Sequence, residues 1–363
     1  MHLQPLRLLI PRTDRVPSVK DLTVRAKDDI RQFIAEGLYK ESDVPALFLC
    51  RIATAERSYS GVFALNDIAD FHEGRIKKHE KTLARREAEY LHLLQEWQSV
   101  IKPVLLTYPP QQEMGDWIEA YMSRNAPDVA VEVPEDGELH QFWAIKTPEQ
   151  YRQLQQLFAA LVPEVYIADG HHRTTTIAHL AQTYPDGLNG MFFDQLFCAF
   201  FAADQLTIKG YHRVVSLPEG RTLDDMKALM KERLKMKPLE QPRLPLHRRE
   251  VVAVFPDECL SFVLEMPVET HTLDASLLSE QVFAAIWELA DPRQDKAIRF
   301  VDGARGLNGV LEEVNHGGVG FLLHPVAFDD LFYLSDQGES LPPKSTWFEP
   351  RIKSGLTVYS FHR

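Results

Sequence analysis

The residues most able to do chemistry in this chain sit in one short stretch, Asp169-Gly170-His171-His172-Arg173. An apolar, β-branched run leads in and a helical pattern, Thr174 onward, leads out. A strand therefore meets a helix start at Gly170. A helix start offers unpaired backbone N–H groups and the positive end of the helix dipole. Gly170 allows close approach or an unusual backbone angle. Arg173 can grip a phosphate with two parallel hydrogen bonds. His171 and His172 can donate hydrogen bonds, move protons or ligate metal. Asp169 can hold Mg²⁺ or orient a histidine. Together with Thr174 these residues make a phosphate cradle. The plainer alternative is a polar turn in which Asp169 caps the helix and the histidines face water.

A second cluster lies upstream in "IKKHEKTLARRE", Ile76–Glu87, with His79, Glu80 and Thr82 ahead of a long helical pattern. Glu80 could serve as a general base or a metal ligand. The second histidine of HExxH is missing, so this is not a zincin. Its plainer alternative is a charged helix start. "KGYHRVV" repeats the His-Arg pair at His212 and Arg213. "PPKST" supplies Lys344, Ser345 and Thr346, which could close over a ligand or simply form a turn. The glycines at 303, 306 and 309 match neither GxGxxG nor a P-loop. No serine elbow, kinase signature set, zinc-finger spacing or helix-turn-helix is present.

The elements that must position these residues follow from periodicity. Pro45–Ala53 and Tyr59–Ile68 predict a hairpin. Thr82–Ile101 predicts a helix with Thr82 as its N-cap. Pro103–Pro110 predicts a strand, Gln141–Leu161 a strand then a helix from about Pro148. Glu164–Asp169 and Arg173–Tyr184 flank the glycine corner. Asp194–Leu217 predicts two strands around a turn, and Leu223 onward a helix capped by Thr222. "KPLEQPRLPLHRRE" predicts a loop. Val251–Met266 predicts a hairpin, Asp274–Ala290 an amphipathic helix, and a strand, a short helix and a strand follow to Val326. Helices and strands mix throughout, so the expected class is α+β.

The chain has 363 residues, 45% hydrophobic and 25% charged, enough for about two folded domains. The expected division is 1–218 and 219–363, with the tail returning to the site. The net charge of −12 argues against a broad nucleic-acid footprint. Any anion site must be local. The three cysteines, Cys50, Cys198 and Cys259, are far apart, which argues against disulfides and thiolate clusters. No apolar run reaches the length of a membrane span, and the N-terminus lacks a signal-peptide core, so the expected location is cytoplasmic.

The ordered motifs "HEKT" (His79–Thr82), "YIADGHHR" (Tyr166–Arg173), "YHRVV" (Tyr211–Val215), "LDASLLSEQVF" (Leu273–Phe283) and "PPKSTWFEPRIKSGL" (Pro342–Leu356) resemble a bacterial and archaeal family, domain-of-unknown-function family 1015. Where members of that family often carry a "PPYDV"-like stretch, this chain reads "IPRTDRVPSVKDL". The DGHHR corner looks like the phosphate corner of the ParB/sulfiredoxin superfamily, which includes free-serine kinases. The resemblance implies such a fold for the N-terminal part, followed by a second mixed α/β part. It implies Glu80 as catalytic base and Gly170–Arg173 as phosphate cradle. The expected activity is transfer of a phosphoryl group from ATP or ADP, with Mg²⁺ on Glu80 or Asp169, to a small hydroxylated metabolite. Glu80, Asp169 and His172 would be catalytic. Lys344, Ser345 and Thr346 would join the cradle residues on the nucleotide, with His79, Thr82, His212 and Arg213 in support. Two alternatives stay open: a non-catalytic nucleotide-binding module, and a metal-dependent hydrolase using His79, Glu80, Asp169, His171 and His172.

Overall fold

The computed structural model describes residues 1–265, 271–289 and 295–361. It is a mixed α+β protein in two compact units. One is Met1–Thr207 together with Pro350–Arg363, and the other is Ile208–Glu349. The division falls before the 218/219 boundary drawn from the sequence, so strand His212–Val215 belongs to the second unit. The tail from Pro350 belongs to the first.

The first unit is built on a nine-stranded mixed sheet. Its order runs Ile76–Lys77, Val165–Asp169, Val104–Tyr108, Gln195–Ala202, Ser58–Asp67, Leu47–Ala53, Glu138–Ile145 and Val129–Val133, with Leu3–Gln4 paired beside Ser58–Asp67. The expected hairpin forms, with Leu47–Ala53 antiparallel to Ser58–Asp67. The strands read as near-continuous apolar runs because both faces are covered: Leu196 to Phe201 are all buried. Gly61 is required in this layer, since a Cβ there would stand 2.6 Å from the carbonyl oxygen of Phe200.

Two pairings set the corner. Val165–Asp169 runs parallel to Ile76–Lys77, which brings His79 and Glu80 beside the helix that follows Asp169. It runs antiparallel to Val104–Tyr108 with a register shift between Ile167 and Asp169. Such a bulge bends a strand and re-aims the next side chain. The tail is tied in by Tyr359 and Ser360, which pair with Val100 and Ser99, and by reciprocal backbone bonds between Leu9 and Val358.

The second unit carries a six-stranded antiparallel sheet ordered Lys237–Leu239, Cys259–Val263, Glu250–Val254, Val319–Leu323, His212–Val215 and Ile298–Val301. Side chains alternate across it with period two. Val251 and Ala253 join the cluster of Phe283, Trp287 and Phe321, while Val252 and Val254 join that of Val310 and Val314. The helix Leu223–Arg233 starts in a full capping box between Thr222 and Asp225. Part of the expected loop is an edge strand, Lys237–Leu239. The helix expected over Asp274–Ala290 is α-helical only to Leu278, then a π-helix over Ser279–Ala284; Ala290 lies outside the described residues. Periodicity over so short a window cannot separate these two helix types.

Candidate functional site

The corner is held by its own backbone. Gly170 has φ +114°, a conformation open to glycine at little cost. A Cβ there would come within 2.7 Å of Arg173 Nη2. The guanidinium therefore folds back over the glycine, toward the strand end. Helix His171–Thr183 starts with no side-chain cap. Thr174 is buried, and its hydroxyl donates to the Gly170 carbonyl (3.1 Å).

Charge converges on Asp169. Lys102 Nζ lies 2.7 Å from its Oδ2, and Arg173 Nη2 lies 3.1 Å from the same oxygen. Arg173 also donates to the Pro103 carbonyl (3.2 Å), while its Nε is buried without a partner among the described residues. Arg351, from the returning tail, stands close enough to act on both Asp169 and Lys102. Burial would raise the Asp169 carboxyl, but Arg173 and Lys102 outweigh it and hold it well below the usual carboxylate range. Burial pushes the Lys102 ammonium down, and Asp169 partly restores it. Three cations thus gather around one carboxylate. Tyr90, on the helix Ala84–Trp97, buries its hydroxyl near Arg173 without a partner among the described residues, and burial pushes it up to about 12. Lys102, Arg351 and Tyr90 are not among the residues expected from the sequence. Lys102 was hidden between a helix end and Pro103, and Arg351 carried only the signal of its motif.

The histidines divide their work. His172 Nε2 accepts the backbone N–H of Leu83 (3.2 Å), which makes it the cap of the helix Ala84–Trp97. The expected N-cap, Thr82, gives way to Leu83, because the acceptor comes from the corner helix and not from a local hydroxyl. Burial first, then Arg86, lowers the His172 imidazole. His171 is buried, with Nδ1 3.5 Å from Glu80 Oε2. Its ring meets that of His79 edge-on at 4.4 Å between centroids. Burial first, then His79, pushes His171 well below its ordinary value. Burial alone takes His79 down to about 3. His79 is 1% exposed, and neither of its ring nitrogens has a hydrogen-bond partner among the described residues. Leaving a buried polar group unpaired costs about 1–3 kcal/mol, and His79 carries two such atoms. Glu80 is partly open. Burial, then the charge of Asp169, raises its carboxyl, which suits a general base.

The other expected residues lie in the second unit. His212 is buried, and its Nδ1 accepts from the Leu323 N–H (3.2 Å). Arg213 is buried on strand His212–Val215. It donates to the Tyr211 carbonyl (2.5 Å) and the Lys344 carbonyl (3.2 Å), and burial pulls it down to about 10. Lys344 adopts φ +55° and sets its ammonium 4.8 Å from the Phe300 centroid, while Arg213 lies 5.4 Å from the same ring. The Ser345 hydroxyl donates to the Pro342 carbonyl (2.7 Å), and Thr346 opens strand Thr346–Glu349. Arg213, Ser276, Glu280, Phe300 and Pro342 line a cavity of about 400 Å³, to which the π-helix contributes Ser279 and Phe283. No helix among the described residues is long and apolar enough to cross a membrane.

The chain belongs to the family of proteins of unknown function DUF1015, whose model matches residues 4–288. No curated protein matches it. Among solved structures it is similar to a free serine kinase variant in complex with ADP, at 12% identity and TM-score 0.39, covering 79% of this chain and 87% of that one. It is similar to SbnI with C-terminal truncation from Staphylococcus aureus, at 13% identity and TM-score 0.40, covering 80% and 85%. A conserved hypothetical protein from Pyrococcus furiosus is similar at 12% identity and TM-score 0.37, covering 80% and 93%.

Proposed function

We propose, for this member of a family without an assigned activity, that the corner binds the phosphates of ATP or ADP and transfers a phosphoryl group to a small hydroxylated metabolite. One observation carries this reading: Lys102, Arg173 and Arg351 gather at Asp169, at the glycine-started N-terminus of a helix, with Glu80 beside them. Phosphoryl transfer asks a protein mainly for positioning and charge stabilisation. The backbone N–H groups of His171 and His172 and the two guanidinium groups would meet the phosphate oxygens. Asp169 holds Lys102 and Arg173 in place. Glu80 takes the proton of the substrate hydroxyl as its oxygen bonds to the terminal phosphorus. The bond from that phosphorus to the bridging oxygen breaks, and the electron pair leaves on ADP or AMP. Mg²⁺, held at Glu80 or Asp169, would add charge stabilisation on the phosphates.

The test is a panel of hydroxylated metabolites with ATP or ADP, read as release of ADP or AMP. Turnover is expected with at least one, and Arg173→Ala is expected to abolish it. Unchanged turnover in Arg173→Ala would overturn the assignment. Nucleotide binding with no turnover would make the protein a non-catalytic nucleotide-binding module.

A further inference from the structure

We propose that His79, Glu80 and His171 bind a divalent transition metal of the zinc or iron(II) kind. One ligand atom from each residue lies within 4.8 Å of the other two. His79 is almost fully buried, and both its nitrogens lack a partner among the described residues. A buried imidazole normally places at least one nitrogen in a hydrogen bond. This one spends neither, and its ring lies against that of the second imidazole.

The donor set selects the metal. Two neutral imidazoles and one carboxylate suit zinc, iron(II) and their neighbours, whereas Mg²⁺ and Ca²⁺ prefer oxygen. Three protein ligands leave positions open for water or substrate, as catalytic sites of this type do. The scaffold fixes two of the three. His79 follows strand Ile76–Lys77, and His171 is the first residue of the corner helix, on the adjacent strand pair. The backbone N–H of His79 points at His171 Nε2 from 3.5 Å, a contact too long to fix the tautomer. Glu80, partly open, supplies the negative charge. Lys102 and Arg173 are both committed to Asp169 nearby. The site goes beyond the phosphotransfer reading and does not require it: the metal stays bound on one Glu80 oxygen whether or not a phosphoryl group is transferred, which leaves the second oxygen for the substrate proton and Asp169 for Mg²⁺.

The experiment uses the full chain, purified without chelator and without a histidine tag. Bound metals are measured as isolated. The stripped protein is then titrated with Co²⁺ and followed by visible absorption. About one equivalent of transition metal per chain is expected, and the as-isolated content distinguishes zinc from iron. Co²⁺ should give the visible bands of a low-coordinate site. Glu80→Gln should weaken Co²⁺ binding roughly tenfold or more, and His79→Leu should remove the bands. Absence of bands in the unaltered protein would overturn the proposal, as would unchanged Co²⁺ affinity in Glu80→Gln. Glu80 is partly exposed, so that variant keeps the test valid even where His79→Leu fails to fold. All these readouts run without nucleotide, so failure here and failure of phosphoryl transfer are told apart.

Discussion

Two of the His-Arg dipeptides in the chain, His172-Arg173 at the corner and His212-Arg213 in the second unit, do different work. At the corner it opens a helix. Arg173 is held by Asp169, shares it with Lys102, and keeps a buried Nε unspent among the described residues. His172 caps a neighbouring helix. In the second unit the same pair lies inside a sheet. Among the described residues, Arg213 has carbonyls and the Phe300 ring as partners, and His212 receives one backbone N–H. Side-chain type alone therefore does not mark a site. A carboxylate that gathers several cations at a helix start is what we propose as one, while a guanidinium spent on carbonyls holds strands and loops together.

That contrast can be broken by substitution. Arg213→Ala should cost the most stability, roughly 2–4 kcal/mol, because it leaves two carbonyls unpaired and a void in the sheet; urea unfolding measures it. Arg173→Ala should cost only about 1 kcal/mol in the same assay yet remove any thermal shift by ATP or ADP. Equal stability losses in the two variants would erase the distinction.

Acid sharpens it further. His212 is lowered to about 4 by burial, then by Arg213. With its folded value below the unfolded one, the unfolded chain binds the extra proton. The stability it contributes is complete above about pH 6.5 and drains as pH falls toward 4, by up to roughly 3 kcal/mol. Asn can offer Oδ1 where His212 offers Nδ1, so His212→Asn should flatten the pH dependence of the urea midpoint over that window. A slope identical to the parent's would refute this. Asp169 is also held low, so its share is present at neutral pH and lost only below about pH 4.

Gly170→Ala should cost about 1–2 kcal/mol through its positive φ, and the new Cβ should push Arg173 off Asp169 and weaken nucleotide response. Lys344→Ala should cost least, about 0.5–1 kcal/mol, the worth of its contact with Phe300.

The strand and helix of the corner were legible because glycine punctuates a clean change of period at Asp169-Gly170. The hairpin and the Thr222 cap were legible for the same local reasons. The partners of Asp169 were not: Lys102 and Arg351 reach it from distant segments through pairings that no spacing encodes. Nor was the Leu83 cap, whose acceptor lies 89 positions away. The helix Val19–Ala35, capped by Ser18, lies outside the expectations above although its cap and apolar stripe are local. The bulge before Asp169 and the π-helix arise from packing, which pattern alone does not carry.

The tail fixes an order of events during synthesis. Residues 350–361 leave the ribosome only after the whole of the second unit, yet they supply Arg351 and the strand that pairs with Val100. The second unit is complete in sequence before the first can close. A chain cut between the end of the second unit and Arg351 would carry the glycine corner and both histidines but lack one of its three cations. Intactness of the polypeptide is thus written into the charge of the corner.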